Sequence, residues 1–244
     1  MQIHPIFQHI LEFLIPSSCA YCRSPVNGTG IPRFCGQCWA DFARINGPVC
    51  PRCGKPFGSP EALIHSPGHE CASCRRDPPQ YDQALAAGLF EGPLREAIHL
   101  YKYRPLSALG RPLATWMAGQ VAFDAKPDIV MPVPLHRKRL RSRGFNQALL
   151  LAHGISKKFD LTLCYDNLVR IRPTRPQVEL TGAERTANVK GAFSLLRPTE
   201  VKSRGILLID DVLTTGATMS ECSRVLKEAG SGSVVALTLA RTAE

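Results

Sequence analysis

The sequence predicts an α/β fold, a mainly parallel sheet with helices on both faces, preceded by a small cysteine-rich module. Two contrasting halves predict it. After residue 80, short apolar runs alternate with segments of helical periodicity, and strand–helix–strand alternation builds parallel sheets covered on both sides. Before residue 80 the chain is rich in Cys, Gly and Pro and poor in long apolar periods, so it has little means of forming a core without a staple. Asp77-Pro78-Pro79 marks the join, because prolines donate no backbone hydrogen bond and bias the chain toward an extended form.

Taken in order, residues 1–16 place Ile3, Ile6, Phe7, Ile10, Leu11 and Leu14 at helical spacing, and Pro16 stops the run. This predicts a short amphipathic helix packed on its own protein, since its polar side carries no Lys or Arg to hold a membrane surface. Residues 17–79 form the cysteine-rich module and residues 80–244 the α/β domain. Within that domain strands are predicted at 83–90, 128–133, 168–171, 205–209 and 233–240. Helices are predicted at 93–103, 111–123, 145–158, 182–189 and 217–229, the last closed by Gly230.

A length of 244 residues with 44% hydrophobic content suits a medium domain joined to a small module and excludes disorder throughout. No run reaches the roughly 18 apolar residues of a spanning helix, and Met1-Gln2-Ile3-His4-Pro5 lacks the basic start of an export signal. A cytoplasmic protein without a transmembrane segment is expected. The 30 Lys and Arg against 20 Asp and Glu give a net charge of +10, which favours an anionic partner: nucleic acid, a phosphate-bearing small molecule or an acidic surface.

Eight of the ten cysteines form four Cys-x-x-Cys pairs, Cys19/Cys22, Cys35/Cys38, Cys50/Cys53 and Cys71/Cys74. Two intervening residues let a tight turn aim both thiolates at one ion, and two such turns complete the tetrahedron of a structural zinc site. Two structural Zn²⁺ ions are therefore expected. Neighbouring pairs are the simplest partners, with an interleaved pairing open on spacing alone. Gly54, after Cys50-Pro51-Arg52-Cys53, permits the left-handed backbone of a zinc knuckle. Redox dithiols would not need four pairs in series, and four thiolates leave no open position for catalysis. His65 and His69 read as ordinary loop residues, and Cys164 and Cys222 as small core residues.

The run Ile206-Leu207-Leu208-Ile209 ends in Asp210-Asp211, passes through Val212-Leu213-Thr214-Thr215-Gly216 and opens a helix at Ala217-Thr218. The acids thus sit at the carboxyl end of a buried strand and the turn at a helix N-terminus, where open α/β sheets bind ligands. Backbone amides from Thr214 to Thr218, with the three threonine hydroxyls, suit a phosphate. Asp210 and Asp211 would repel that phosphate at contact, so they suit a ribose diol or Mg²⁺ beside it. A Walker-type loop is excluded by the lack of Gly-Lys-Ser/Thr.

This segment resembles the binding loop for phosphoribosyl pyrophosphate in type I phosphoribosyltransferases. That resemblance assigns Asp210 and Asp211 to the ribose hydroxyls and the turn to the 5′-phosphate. A second candidate segment, Leu135-His136-Arg137-Lys138-Arg139-Leu140-Arg141-Ser142-Arg143, follows another predicted strand and reads as a basic loop with five cations in seven residues. It suits pyrophosphate or a nucleic-acid backbone. A stretch from Arg170 and Arg172 through Arg185 adds cations on a proline-stiffened loop.

The four cysteine pairs, His99-Leu100-Tyr101-Lys102-Tyr103, Val133-Pro134-Leu135, Arg143-Gly144-Phe145-Asn146-Gln147, Thr174-x-x-Gln177, Arg185-x-x-Asn188 and the acidic loop occur in that order. The chain resembles the ComF/GntX family, bacterial proteins with a double zinc ribbon and a phosphoribosyltransferase domain, implicated in competence for DNA uptake. The resemblance implies binding of phosphoribosyl pyrophosphate with Mg²⁺ by Leu135, His136, Arg137, Asp210, Asp211, Val212, Thr214, Thr215, Gly216, Ala217 and Thr218. Arg137 and the two acids would be the groups acting in any transfer, Arg137 on the departing pyrophosphate, joined there by Lys102. Lys138, Arg139, Arg141, Arg143, Arg170 and Arg172 are the candidates for single-stranded DNA. DNA-uptake helicases or recombination proteins are further partners it implies. The alternative is an active phosphoribosyltransferase of nucleotide or small-molecule metabolism without a DNA role; neither an acceptor nor a general base is legible.

Overall fold

The computed structural model describes residues 18–26, 31–59, 66, 68–103, 106–175 and 181–243. The amphipathic segment 1–16, His65 and Gln177 lie outside the described residues.

Two one-turn helices, α1 (Gly36–Ala40) and α2 (Ala72–Arg76), belong to the cysteine-rich module. The α/β part runs β1 (Gln83–Leu89), α3 (Gly92–Tyr103), α4 (Gly110–Ala118), β2 (Ile129–Pro132), α5 (Arg137–Arg143), α6 (Gln147–Phe159), β3 (Thr162–Leu163) and β4 (Leu168–Arg170). It continues with α7 (Gly182–Val189), β5 (Phe193–Leu195), β6 (Ile206–Leu213), α8 (Ala217–Glu228) and β7 (Val234–Arg241). Among the described residues the main sheet is five-stranded, in the order β1-β7-β6-β2-β3, and every pairing is parallel.

Both faces of this sheet are covered. Along β6, Leu207 and Ile209 pack into one apolar cluster with α3, α4 and α6. Ile206 and Leu208 pack into another with α7 and α8. Successive strand side chains point to opposite faces, so an unbroken apolar run is what a sheet buried on both sides requires. All four are fully buried, and each contributes roughly 1.5–3 kcal/mol by leaving water.

Four expectations change in detail. The helix begun near residue 111 ends at Ala118 and not at 123, because the Gly119 N–H reaches back to the Thr115 and Trp116 carbonyls and tightens the last turn. Strand β6 continues through the acidic pair to Leu213, since Asp210, Val212 and Leu213 stay in register with β7. The strand near 168 does not join the main sheet; it pairs antiparallel with β5, which was not anticipated. The basic segment is not a loop. It forms α5, capped by His136, whose Nδ1 accepts from the Lys138 N–H at 3.3 Å, and closed by Gly144 at φ +81°.

The cysteine-rich module lies along the free edge of β1. The Ala84 N–H donates to the Arg52 carbonyl and the Leu89 N–H to the Ala43 carbonyl, both at 2.8 Å, so an edge that would otherwise offer unpaired amides is closed. The contact is too close for a side chain at Gly88, where a Cβ would sit 2.3 Å from the Ala43 carbonyl oxygen.

Candidate functional site: two four-cysteine centres and a polar cavity

The thiols gather as Cys19, Cys22, Cys35 and Cys38 and as Cys50, Cys53, Cys71 and Cys74, each set with its sulfurs within 4.8 Å of one another. Neighbouring pairs therefore share a centre, and the interleaved pairing is excluded. A tetrahedron with Zn–S bonds of about 2.3 Å has S···S edges of about 3.8 Å. Cys22 and Cys35 sulfurs lie 3.7 Å apart, as do those of Cys53 and Cys71. The Cys71 N–H donates to the Cys50 sulfur at 3.3 Å and the Cys38 N–H to the Cys35 sulfur at 3.4 Å, and Gly54 adopts φ +69°. Four thiolates this close repel one another, and a cation among them removes that repulsion. The donor sets fit two structural zinc ions. His69 lies outside both sets and faces Phe57, with ring centroids 5.9 Å apart. Cys222 is fully buried and Cys164 half-buried, both in the cluster beneath α8.

At the carboxyl ends of β2 and β6 the two crossovers leave on opposite faces, α6 on one and α8 on the other. That divergence opens a crevice. A cavity of about 470 Å³ fills it, lined by Leu135, Arg139, Ser142 and Arg143 from the α5 segment and Asn146, Gln147 and Ala148 at the start of α6. The rest of the wall is Phe90, Lys102, Val133, Arg170, Arg185, Asp210, Asp211, Val212, Thr214 and Thr218. A smaller dimple beside it adds Gly216 and Ala217.

An ion pair lies on this wall. Lys102 Nζ lies 2.9 Å from Asp211 Oδ1 in a largely buried ion pair. Asp210 Oδ1 accepts the Asp211 N–H at 2.9 Å. Burial, with the adjacent Asp211 charge, pushes the Asp210 carboxyl up to about 7. Arg170 stacks on Phe193 at 5.1 Å and donates to Thr174 Oγ1. Burial, reinforced by Arg139, draws its pKa down. The turn is set by Gly216 at φ +80°, and the Gly216 carbonyl accepts the Ser220 N–H at 2.8 Å. The Thr215 hydroxyl accepts the Ala217 N–H at 3.4 Å.

The structure gathers Leu135, Arg139, Arg143, Arg170, Asp210, Asp211, Val212, Thr214 and Thr218 on the cavity, with Gly216 and Ala217 at its side. His136, Arg137, Lys138, Arg141, Arg172 and Thr215 are not among the lining residues. Arg137, Lys138 and Arg141 are exposed on α5. Arg172 is spent on the Asn188 and Lys190 carbonyls at 3.0 and 2.7 Å. Phe90 joins the site unforeseen, because its place just past β1, where its N–H donates to the Arg241 carbonyl of β7 at 2.8 Å, depends on strand order. Asn146 and Gln147 had a role visible only in three dimensions. Asn146 caps α6 and donates to the Val133 carbonyl at 3.1 Å. Gln147 and Tyr101 exchange two side chain–backbone bonds that lock α3 to α6.

Residues 10–75 match the double zinc ribbon domain family and residues 145–244 the phosphoribosyl transferase domain family. DNA utilization protein YhgH of Escherichia coli K12 is 30% identical over 234 residues, covering 93% of this chain and 98% of that protein. Competence protein F of Haemophilus influenzae is 30% identical, over 91% of this chain and 96% of that one. Competence protein ComFC of Bacillus subtilis is 26% identical, over 86% and 85%. With a double zinc ribbon followed by a phosphoribosyl transferase domain in this chain, and 30% identity spread over nearly the whole of both chains, the protein belongs to the ComF family.

Proposed function

We propose that the chain binds phosphoribosyl pyrophosphate with Mg²⁺ in the cavity and acts on DNA during natural transformation, as the names of its competence relatives suggest. The observation that carries the reading is the acidic end of β6 and the turn opening α8, together on one cavity with five cationic side chains. Asp210 and Asp211 hold the ribose diol and supply the hard oxygens Mg²⁺ prefers. The ion, when bound, neutralises pyrophosphate charge. Amides and hydroxyls from Thr214 to Thr218 hold the 5′-phosphate at the N-terminus of α8. Arg139 and Arg143 reach the cavity and take the pyrophosphate alongside Leu135, a closer placement than that of Arg137. Residues 17–79 serve as the zinc ribbon and 80–244 as the phosphoribosyl domain, in the cytoplasm, where reducing conditions keep thiols available for zinc.

Calorimetry with phosphoribosyl pyrophosphate and Mg²⁺ tests the site. Asp210→Asn with Asp211→Asn is expected to abolish Mg²⁺-dependent binding, and undiminished binding would remove the acids from the site. The second reading, an active phosphoribosyltransferase without a DNA role, is favoured by the cations where pyrophosphate would depart. It predicts pyrophosphate release with a suitable acceptor, measurable by a coupled assay.

A further inference from the structure

Three routes join the second four-cysteine centre to the turn at residues 213–220. Tyr81, just before β1, is 2% exposed; a Cβ built on Gly216 would lie 2.8 Å from its hydroxyl and 3.7 Å from its ring. The same buried cluster holds Ala217 and Met219 of α8, and Cys53 packs against it. On one side of Tyr81, Arg52 of the knuckle donates to the Pro79 carbonyl at 3.2 Å, and the next residue's N–H, from Gln80, donates to Ser220 Oγ at 3.1 Å. On the other, Arg241 is 3% exposed, donates to the Cys53 carbonyl, and precedes Thr242, whose N–H donates to the Leu213 carbonyl at 3.1 Å. The knuckle is thus linked to both ends of the turn through Pro79–Gln80 and Arg241–Thr242, and to its middle through Tyr81. The first centre has another neighbourhood: Cys19 and Cys38 pack with Phe34, Phe42 and Trp116 on the opposite face of the sheet.

We propose that Tyr81 is a positioning residue for the phosphate turn and transmits to it the state of the second four-cysteine centre, and not of the first. The proposal rests on reading residues 214–218 as a phosphate turn. A knuckle without its metal loses the tetrahedral anchor that fixes the Arg52 and Cys53 carbonyls. Arg241 then lacks its acceptor and Tyr81 its backing, and a close-packed contact of this kind is lost as a unit instead of relaxing by degrees. Ligand binding therefore follows occupancy of the second centre.

Hydrogen exchange on the full chain, read on the peptide spanning residues 213–220, tests this directly. Cys71→Ser with Cys74→Ser, and Tyr81→Leu, are expected to speed exchange about tenfold. Cys22→Ser with Cys35→Ser, and Tyr81→Phe, which keeps the ring, should stay within about twofold of the parent. Unchanged protection of β6 at residues 206–209 reports that the sheet is intact; if the second-centre variant unfolds, the two Tyr81 variants decide. Equal exchange in Tyr81→Leu and the parent would overturn the proposal, as would equal loosening by loss of the first centre. Affinity for phosphoribosyl pyrophosphate with Mg²⁺ should fall in the same order. A parent protein that binds none refutes the functional reading, while the exchange comparison still judges the coupling.

Discussion

Glu221 shows how one residue's chemistry fixes a larger piece. Its carboxylate, on α8, accepts from the Gly191 N–H at 2.7 Å and from Arg224 at 2.7 and 3.0 Å, and the residue is 8% exposed. Burial acts to raise its pKa, but the Arg224 and Gly191 donors win and hold it below the ordinary glutamate value. A group with a lowered folded pKa stabilises above its unfolded pKa of about 4.3, and that contribution fades as pH falls through the folded value. Glu221→Gln is expected to cost about 1–2 kcal/mol at pH 7. Urea unfolding at pH 7 and in acid checks the sign: the gap between parent and variant must close on acidification, and a gap that widens would place the stabilisation elsewhere.

Helix α5 is divided by its own periodicity. Arg139 and Arg143, four residues apart, line the cavity, while Arg137 and Arg141, also four apart, are exposed with Lys138. On the proposed function, one element thus presents cations to two anionic ligands. Arg137→Ala, Lys138→Ala and Arg141→Ala together should weaken single-stranded DNA binding and flatten its dependence on log salt by about 2 units at roughly 0.7 per phosphate contact. Affinity for phosphoribosyl pyrophosphate should hardly change. Arg139→Ala with Arg143→Ala should do the converse. Salt titrations by fluorescence anisotropy and parallel calorimetry check both; equal effects of the two sets on both ligands would dissolve the division. The sequence already placed the basic segment after β2 and gave its charge. It concealed the helix, because Leu140 is its one apolar side chain and is 41% exposed, leaving no apolar stripe to count. Strands β3 and β5 escaped for a related reason, being two and three residues long. The acidic pair, the glycine turn and α8 were legible because each is written in adjacent residues. Lys102 facing Asp211 was not, since that 2.9 Å contact joins elements 109 positions apart (211 minus 102).

At the scale of the molecule the cysteine-rich module covers the edge strand of the sheet as well as bracing the site. With Arg52 and Ala43 carbonyls taking the Ala84 and Leu89 amides, β1 is paired on one side by β7 and on the other by the ribbon. Zinc binding in such modules is folding free energy, on the order of 10–16 kcal/mol for a site, so stripping the metal removes the ribbon's order and uncovers β1. An uncovered, largely apolar strand recruits other strands. Chelation should therefore release two zinc ions per chain, as the two four-cysteine sets require, and convert the protein into self-associated species. Metal analysis with light scattering tests it. A zinc-free chain that stays monodisperse with an unchanged sheet would show that the α/β part shields its own edge, and that the ribbon's contacts with β1 contribute nothing to solubility.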